Sequence, residues 1–502
     1  MIRRRLAVAL LTGLVVFSAA AAKWERIGVA RVADESALTA AVVQLSAYTG
    51  NPAVGMMLAS APVKAPYQDF FGPARPKASV AFVLLEDVEA PADNLAIGFE
   101  YAVLYPVAQT KADFVKAHRG CVETNGFLRI PKVVSEFDDG VDDSEDYDDQ
   151  TFDYVKFSAD GKWAATSDKA EQVDLALAEC AAAAQPMDGD LARVQFDEKG
   201  IGYIAALLAK VQSAVEDASS RQEMERVRNL LAGCENGVGG IRLTERGIEQ
   251  HFEVTVRDGS ELAKLSGLAA SNALASASAD ALLATESFKG ENVAEYRAQL
   301  AELLRKYGFD LSSVSCRRKP TGARLEVDLA ALVKYVMTDA KKAFENFDSD
   351  RFEKDLKKIK AQTAAQTNSV ETTFELALKG CRPRLSPAAR LAKTLPECAG
   401  KRTLFASVCS LSGVVCALAP VLLDQQPEQV RSTLKPLLAT MGTEAETGCA
   451  AAGWFDGRTF RGLARLSADE LKSVCNAVSA VFGYMMMNAA AEADDDDDDD
   501  DD

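Results

Sequence analysis

The stretch Leu191–Leu265, LARVQFDEKGIGYIAALLAKVQSAVEDASSRQEMERVRNLLAGCENGVGGIRLTERGIEQHFEVTVRDGSELAKL, sets how the rest of the chain is read. Ala192, Val194 and Phe196 alternate with Arg193, Gln195 and Asp197, the period of two of a strand with one buried face. Ile204, Leu207, Leu208, Val211 and Val215 then fall at helical spacing. Ser220 and Glu223 have the spacing of a capping box, in which two side chains satisfy free amides at a helix start. Met224, Val227, Leu230 and Leu231 form the apolar stripe of that second helix, and Gly233 and Gly237 are expected to end it. Ile241 and Leu243 begin a hairpin that turns at Glu245-Arg246-Gly247. Ile248, Phe252, Val254 and Val256 line one face of the return strand. Asp258 and Glu261 are expected to cap a short helix carrying Leu262 and Leu265.

The same order of strand, helix, helix, strand, strand and short helix is expected at Trp24–Gly120, Ala323–Leu395 and Thr403–Phe482. The last span follows the template most closely. Leu434, Leu437, Leu438 and Ala439 repeat the spacing of Val227, Leu230, Leu231 and Ala232, and Trp454-Phe455-Asp456-Gly457 runs into a hairpin turn. Ser467 and Glu470 repeat the capping spacing, with Leu471 after them as Leu262 follows Glu261. In the third span Leu325, Val327 and Leu329 suggest a strand, and Ser386-Pro387 opens a closing helix. The first span has a continuous apolar strand at Val80–Leu85, an alternating one from Leu95 to Tyr105, and a cap at Thr110 with Asp113. The expected fold class is α+β, with repeated β-α-α-β-β units whose mainly antiparallel sheets are covered by helices.

Residues 1–22 have the three-part layout of a signal peptide. Arg3, Arg4 and Arg5 give the positive start, Leu6–Phe17 the apolar core, and Ala20-Ala21-Ala22 a small-residue cleavage site. That core is too short to span a bilayer comfortably, and no later run is long and apolar enough to do so. The mature chain is therefore expected in the periplasm or outside the cell.

The formal charge of −18 is unevenly placed. Asp494–Asp502 holds nine carboxylates, and Glu136–Asp149 holds nine more with no basic residue. Both segments lack the apolar content that would offset the entropy of ordering and are expected to be disordered. Apart from them and the leader, the body is close to neutral. It offers no basic stripe for phosphates, so nucleic acid is excluded as a partner class. Clustered carboxylates suit a hard cation such as Ca²⁺, which makes Asp138, Asp139, Asp142, Asp143, Glu145 and Asp146 the metal-ligand candidates. The EF-hand spacing fails there, since Gly140 at the sixth position puts Ser135 and Phe137 at the first and third.

Ten cysteines in an exported chain invite disulfides. Cys121 and Cys180 bracket an insertion over 121–190, with the acidic loop 136–149 inside it, and are the disulfide candidates. The competing expectation is that Cys180 packs as a free thiol on an alanine-rich helix. After the acidic run, Phe152–Phe157, the Asp160-Gly161 turn and Trp163–Ala165 read as a hairpin, followed by a helix capped by Asp168 and Glu171. Ala273–Phe288 and Val293–Tyr307 read as two extra helices near a domain boundary. The expected domains are 23–270 and 271–490, with two units in each and a poly-aspartate tail at 491–502.

Motifs for chemistry are few. Gly200, Gly202 and Ala205 spell GxGxxA between a strand and a helix, the spacing of a dinucleotide loop. A second helix follows where that fingerprint needs a strand, and the matching positions of the fourth span are Ser410, Ser412 and Gly413. A tight strand-to-helix turn is the expected role, and no cofactor is assigned. His118 and His251 are the only histidines, and neither has a histidine partner at ligand spacing. No GxSxG, HExxH, CxxC or GxxxxGK[ST] pattern occurs.

Ser467-x-x-Glu470-Leu471 after Trp454–Leu466, and Asp258-x-x-Glu261-Leu262 after Ile241–Val256, carry a resemblance. In this layout the chain resembles uncharacterised secreted bacterial proteins built from repeated strand–helix–helix–strand–strand units. The resemblance implies an α+β repeat architecture outside the cytoplasm and brings no activity with it. The function expected is a non-enzymatic binding or scaffold role with an envelope or protein partner. An exported hydrolase using paired carboxylates is the alternative, and an acidic cation-binding protein is a third class.

Overall fold

The computed structural model describes residues 24–50, 63–87, 100–131, 152–215, 218–268, 274–287, 293–307, 313–319, 322–338, 348–364, 372–379, 381, 383–424, 428, 431–432 and 444–476. The expected signal peptide, the acidic run with all six metal-ligand candidates, and the aspartate tail lie outside them. The chain divides into two compact units. The first is Met1–Ala41, Pro62–Ala214 and Val227–Arg242; the second is Val42–Ala61, Val215–Arg226 and Leu243–Asp502.

The strands of the first unit are β1 (Trp24–Val32), β2 (Val80–Asp87), β3 (Glu100–Tyr105), β4 (Val122–Thr124), β5 (Phe127–Pro131), β6 (Phe152–Phe157), β7 (Ala164–Ser167), β8 (Asp190–Phe196) and β9 (Cys234–Thr244). They pair in the order β9-β8-β1-β2-β3-β7-β6-β5-β4, and every pairing is antiparallel. Val80–Leu85 is apolar throughout because both faces of this sheet are covered. Ala81, Val83 and Leu85 join Ala102, Leu104, Trp163 and Ala165 in one core, beneath Val173 and Ala176 of helix Ala170–Ala178. Val80, Val103, Tyr105 and Ala164 point the other way and meet Phe71 and Phe114. Phe114 sits on helix Lys111–Ala117, is fully buried, and stacks 5.6 Å from Phe71. Burying a ring of that size contributes roughly 1.5–3 kcal/mol.

Those two faces separate the disulfide candidates. Cys121 packs on the Phe114 side and Cys180 on the Trp163 side. Both are free thiols, and the expected bond between them is absent, because a sheet stands between the sulfurs.

Local signals are resolved in the hydrogen bonds. The Asp113 amide donates to Thr110 Oγ1 at 3.2 Å, making the cap expected there. The Asp160-Gly161 turn joins β6 to β7. The helix at 170 is capped differently from the expectation. Its N-cap is Lys169, which has no side-chain cap, and the neighbouring Ser167 hydroxyl accepts the Lys169 amide at 3.3 Å. Helix Ala218–Leu231 begins two residues before Ser220, so the Ser220–Glu223 box does not start it. Gly237 is inside β9 and does not terminate that helix.

The second unit holds β10 (Gly247–Val256), β11 (Leu283–Ser287), β12 (Val314–Lys319), β13 (Gly322–Val327), β14 (Thr372–Leu378), β15 (Thr403–Cys409), β16 (Cys449–Asp456) and β17 (Thr459–Ser467). Their order is β10-β17-β16-β15-β11-β14-β13-β12, antiparallel except for β13 beside β14. The third expected span departs from the template here. Its opening strand β13 runs parallel to β14, whereas β8 and β9, like β15 and β16, run antiparallel. Residues 283–287, expected within a helix, form β11 between β14 and β15, where ladder bonds on both sides outweigh the helix propensity of the alanine-rich segment. The helix expected next is present as Val293–Lys306.

In this unit Ala406, Val408, Ala450, Ala452, Trp454 and Leu463 form one face of the sheet under Leu391 and Leu395. Leu391 belongs to helix Pro387–Thr394, whose Ser386 cap accepts the Ala389 amide. The Glu261–Leu265 helix takes Ser260 as its N-cap, not Asp258. Both units are thus helices packed on mostly antiparallel sheet, which is the α+β class. Among the described residues no helix is long and apolar enough to cross a membrane.

Candidate functional site

A set of buried polar and charged side chains lies in the second unit, at the end of β15. Ser410 leaves the strand, donates its amide to Leu282 O at 2.9 Å, and N-caps helix Leu411–Asp424 by accepting the Gly413 amide at 3.0 Å. Two residues on, the Ser412 amide and hydroxyl donate to the two Glu470 carboxylate oxygens at 2.8 and 2.7 Å. Ser412 Oγ in turn accepts the Ala445 amide at 3.0 Å. Glu470 reaches this position because Ser467 caps the helix over 468–476, accepting the Glu470 amide at 3.2 Å. The Ser467–Glu470 spacing therefore works as expected at its serine. Its glutamate satisfies the amino end of a different helix.

The Ser410 hydroxyl donates to Glu444 Oε1 at 3.1 Å, and Arg390 Nη2 donates to the same oxygen at 2.8 Å. Arg390 also donates to Leu282 O and Leu385 O. Arg390, Ser410 and Glu470 are each 0% exposed, and Ser412 is 1% exposed. Burial raises the Glu470 carboxyl above the ordinary glutamate range; the two hydrogen bonds from Ser412 oppose that shift without cancelling it.

A second knot lies on the same sheet. Arg465 on β17 stands opposite Glu249 on β10 and donates to it at 2.9 Å, with exposures of 2% and 1%. Its other nitrogens reach Glu397 at 2.8 and 3.2 Å and the Thr394 carbonyl. Burial opposes the Glu397 charge, but the Arg465 hydrogen bonds and charge and the Arg246 charge outweigh it and hold that carboxyl low. Thr394 Oγ1 accepts the Gly448 amide at 3.0 Å, and Thr447 shares a hydrogen bond with Ser467. Both knots therefore tie helix Pro387–Thr394 and the strand ends together.

The motifs singled out in the sequence take other places. Gly200, Gly202 and Ala205 lie inside helix Glu198–Ala214, not in a loop. A Cβ on Gly200 would stand 1.9 Å from the Ile27 carbonyl oxygen, so this glycine lets the helix lie directly on β1. His118 follows helix Lys111–Ala117, where its Nδ1 is 2.9 Å from Phe114 O. His251 is half-buried on β10. A half-open cavity of about 490 Å³ in the first unit is lined by Gln109, Thr110, Lys111, Lys156, Ser158 and Asp160 among others. Its lysines are engaged, Lys111 with Glu123 and Lys156 with Asp174. Among the described residues no group of three histidine, cysteine or carboxylate side chains is placed to hold a metal ion.

Sequence reasoning missed Glu249, Arg390 and Arg465 because each reads as a solvent-facing charge. Only the pairing of β10 with β17, more than 200 residues apart, brings Glu249 to Arg465. No known family model matches the sequence, and neither the curated proteins nor the solved structures give a significant match.

Proposed function

We propose that this chain is an exported, non-enzymatic binding or scaffold protein of the cell envelope or extracellular space. The supporting observation is that, among the described residues, the charged cluster at the end of β15 is turned inward. Glu470 and Ser412 bond to each other, Ser410 and Arg390 share Glu444, and Glu470, Ser412, Ser410 and Arg390 are each at most 1% exposed. Such a cluster, cut off from water, favours one packing arrangement. Residues 1–22 supply the export reading. The strand–helix–strand–strand order at β8–β10 and β15–β17 supports an origin in repeated β-α-α-β-β units.

The second reading, an exported hydrolase with carboxylate acid/base chemistry, has one observation in its favour. Glu470 carries a raised pKa while bonded to the Ser412 hydroxyl, and burial of this kind can tune a catalytic acid. Cross-linking in intact cells followed by identification of the attached molecules separates the two. The scaffold reading expects a reproducible envelope partner retained in Glu470→Gln. Hydrolysis of an ester, peptide or glycoside that disappears in Glu470→Gln would overturn it.

A further inference from the structure

The register of β15 against β16 puts Cys409 directly opposite Cys449. The Ser410 amide points to β11, where it donates to Leu282 O, so the peptide groups of Cys409 face β16. The pair is therefore of the hydrogen-bonded kind, with α-carbons about 5.5 Å apart. That spacing falls in the range that a disulfide requires, about 4.4–6.8 Å. Directly opposed residues project from the same side of the sheet. Here it is the side away from Val408 and Ala450, which point into the core. Cys449 is exposed and Cys409 half-buried, and both are free thiols. No other described cysteine pair is in register across a ladder.

We propose that Cys409 and Cys449 are a dithiol that closes to a cross-strand disulfide by exchange with an external disulfide of the glutathione class. The exposed Cys449 thiolate attacks that disulfide, forming a mixed disulfide and releasing one small thiol. The Cys409 thiolate then displaces the second small thiol and forms the cross-strand bond. The protein loses two electrons and two protons, and one small disulfide becomes two thiols. Closure needs no change of strand register, but it needs side-chain rotation and a local approach of β15 and β16, because opposed β-carbons of a hydrogen-bonded pair stand about 5.5 Å apart and a disulfide requires about 3.5–4.5 Å. The bond would strap the two ends of the connection that carries helix Leu411–Asp424, and with it Ser410 and Ser412, onto the sheet. Burial pushes the Cys409 thiol up to about 11, and partial desolvation at the sulfur with the nearby Glu470 charge also raises Cys449 although the residue is exposed overall, so exchange is slow at neutral pH and speeds up with alkalinity. This inference stands apart from the export reading, because it concerns the folded chain in any oxidising solution.

The test incubates the full chain in oxidised glutathione at pH 7 and pH 9, blocks free thiols by alkylation, and maps tryptic peptides without reduction. One tryptic peptide carries both Cys409 and Cys416, so Cys409→Ser, Cys416→Ser and Cys449→Ser are run beside the parent. The expected result is a link to the Cys449 peptide that forms faster at pH 9, persists in Cys416→Ser, and is lost in the other two variants. Fragmentation of the linked parent peptides places the bond without any variant, should one fail to fold. Full alkylation of Cys409 and Cys449 at both pH values, or a link that maps to Cys416, overturns the proposal.

Discussion

Glu249 and Arg465 face each other across β10 and β17, side chain to side chain at 2.8–2.9 Å and nearly sealed from water. An ion pair this deep contributes little net stability when whole, because desolvating the two charges offsets their attraction. Removing one member is different, since the other is left charged and buried.

Arg465→Met is therefore expected to destabilise the second unit by about 3–5 kcal/mol. The double change with Glu249→Gln should recover a substantial part of that loss. Urea unfolding of the two single variants and the double variant gives the coupling directly. Additive losses would show that the two side chains do not act as a pair.

Glu470 makes the stability of the second unit depend on pH. Its folded-state pKa is raised above the unfolded value. Its contribution is thus fully present below the unfolded pKa of about 4.3 and is lost as pH rises through the folded value. Glu470→Gln has no charge to desolvate. Its stability relative to the parent is expected to improve as pH rises above about 4, by roughly 1.4 kcal/mol for each tenfold by which folding raises the proton affinity of this carboxylate. A difference that stays flat, or falls, across that range would remove burial as the dominant influence on this carboxyl.

Gly200 and Gly202, on one helix, should respond oppositely to alanine. Gly200→Ala places a methyl 1.9 Å from the Ile27 carbonyl and forces helix Glu198–Ala214 off β1, which should cost about 1–3 kcal/mol or more. Around Gly202 a new Cβ meets nothing within 4 Å, and Ala in a helix interior should gain about 0.5–1 kcal/mol. Thermal unfolding of the two variants reads both signs. Equal, small effects would contradict the packing role given to Gly200.

Thr110→Ala and Ser386→Ala each remove a side-chain acceptor from a helix amide, Asp113 N–H and Ala389 N–H respectively. A loss of about 0.5–2 kcal/mol is expected for each. Restoration by Asp at either site, measured by denaturant midpoint, would identify capping as the cause.

Much of the local architecture was legible because its causes are local. The Thr110, Ser386 and Ser467 caps, the Asp160-Gly161 turn and the β16–β17 turn at Gly457-Arg458 each follow from two to four adjacent residues. Errors arose where tertiary pairing decides the outcome. Residues 283–287 look helical in an alanine-rich context, yet become a strand with a neighbour on each side. Ser260 takes the cap expected of Asp258, a two-residue shift that spacing alone does not resolve. The buried site was the least visible part. In GIEQHFEV, Glu249 occupies the polar phase of an alternating strand, and nothing nearby announces that Arg465 will meet it. The Ser467–Glu470 spacing assigns Glu470 to its own helix, while its carboxylate serves the amino end of another.

The cluster around Ser412 and Glu470 is closed and structural if its hydrogen bonds hold for as long as the unit stays folded. Amide hydrogen exchange over residues 410–416 tests that most directly, because exchange requires the local hydrogen bonds to open to water. A closed lock predicts that the Ser412, Gly413 and Val414 amides exchange only with unfolding of the second unit, and slow down no further when small ester or glycoside substrates are added. Exchange at these amides within seconds, in a chain whose core strands stay protected, would show a cluster that opens to solvent and would contradict the structural role.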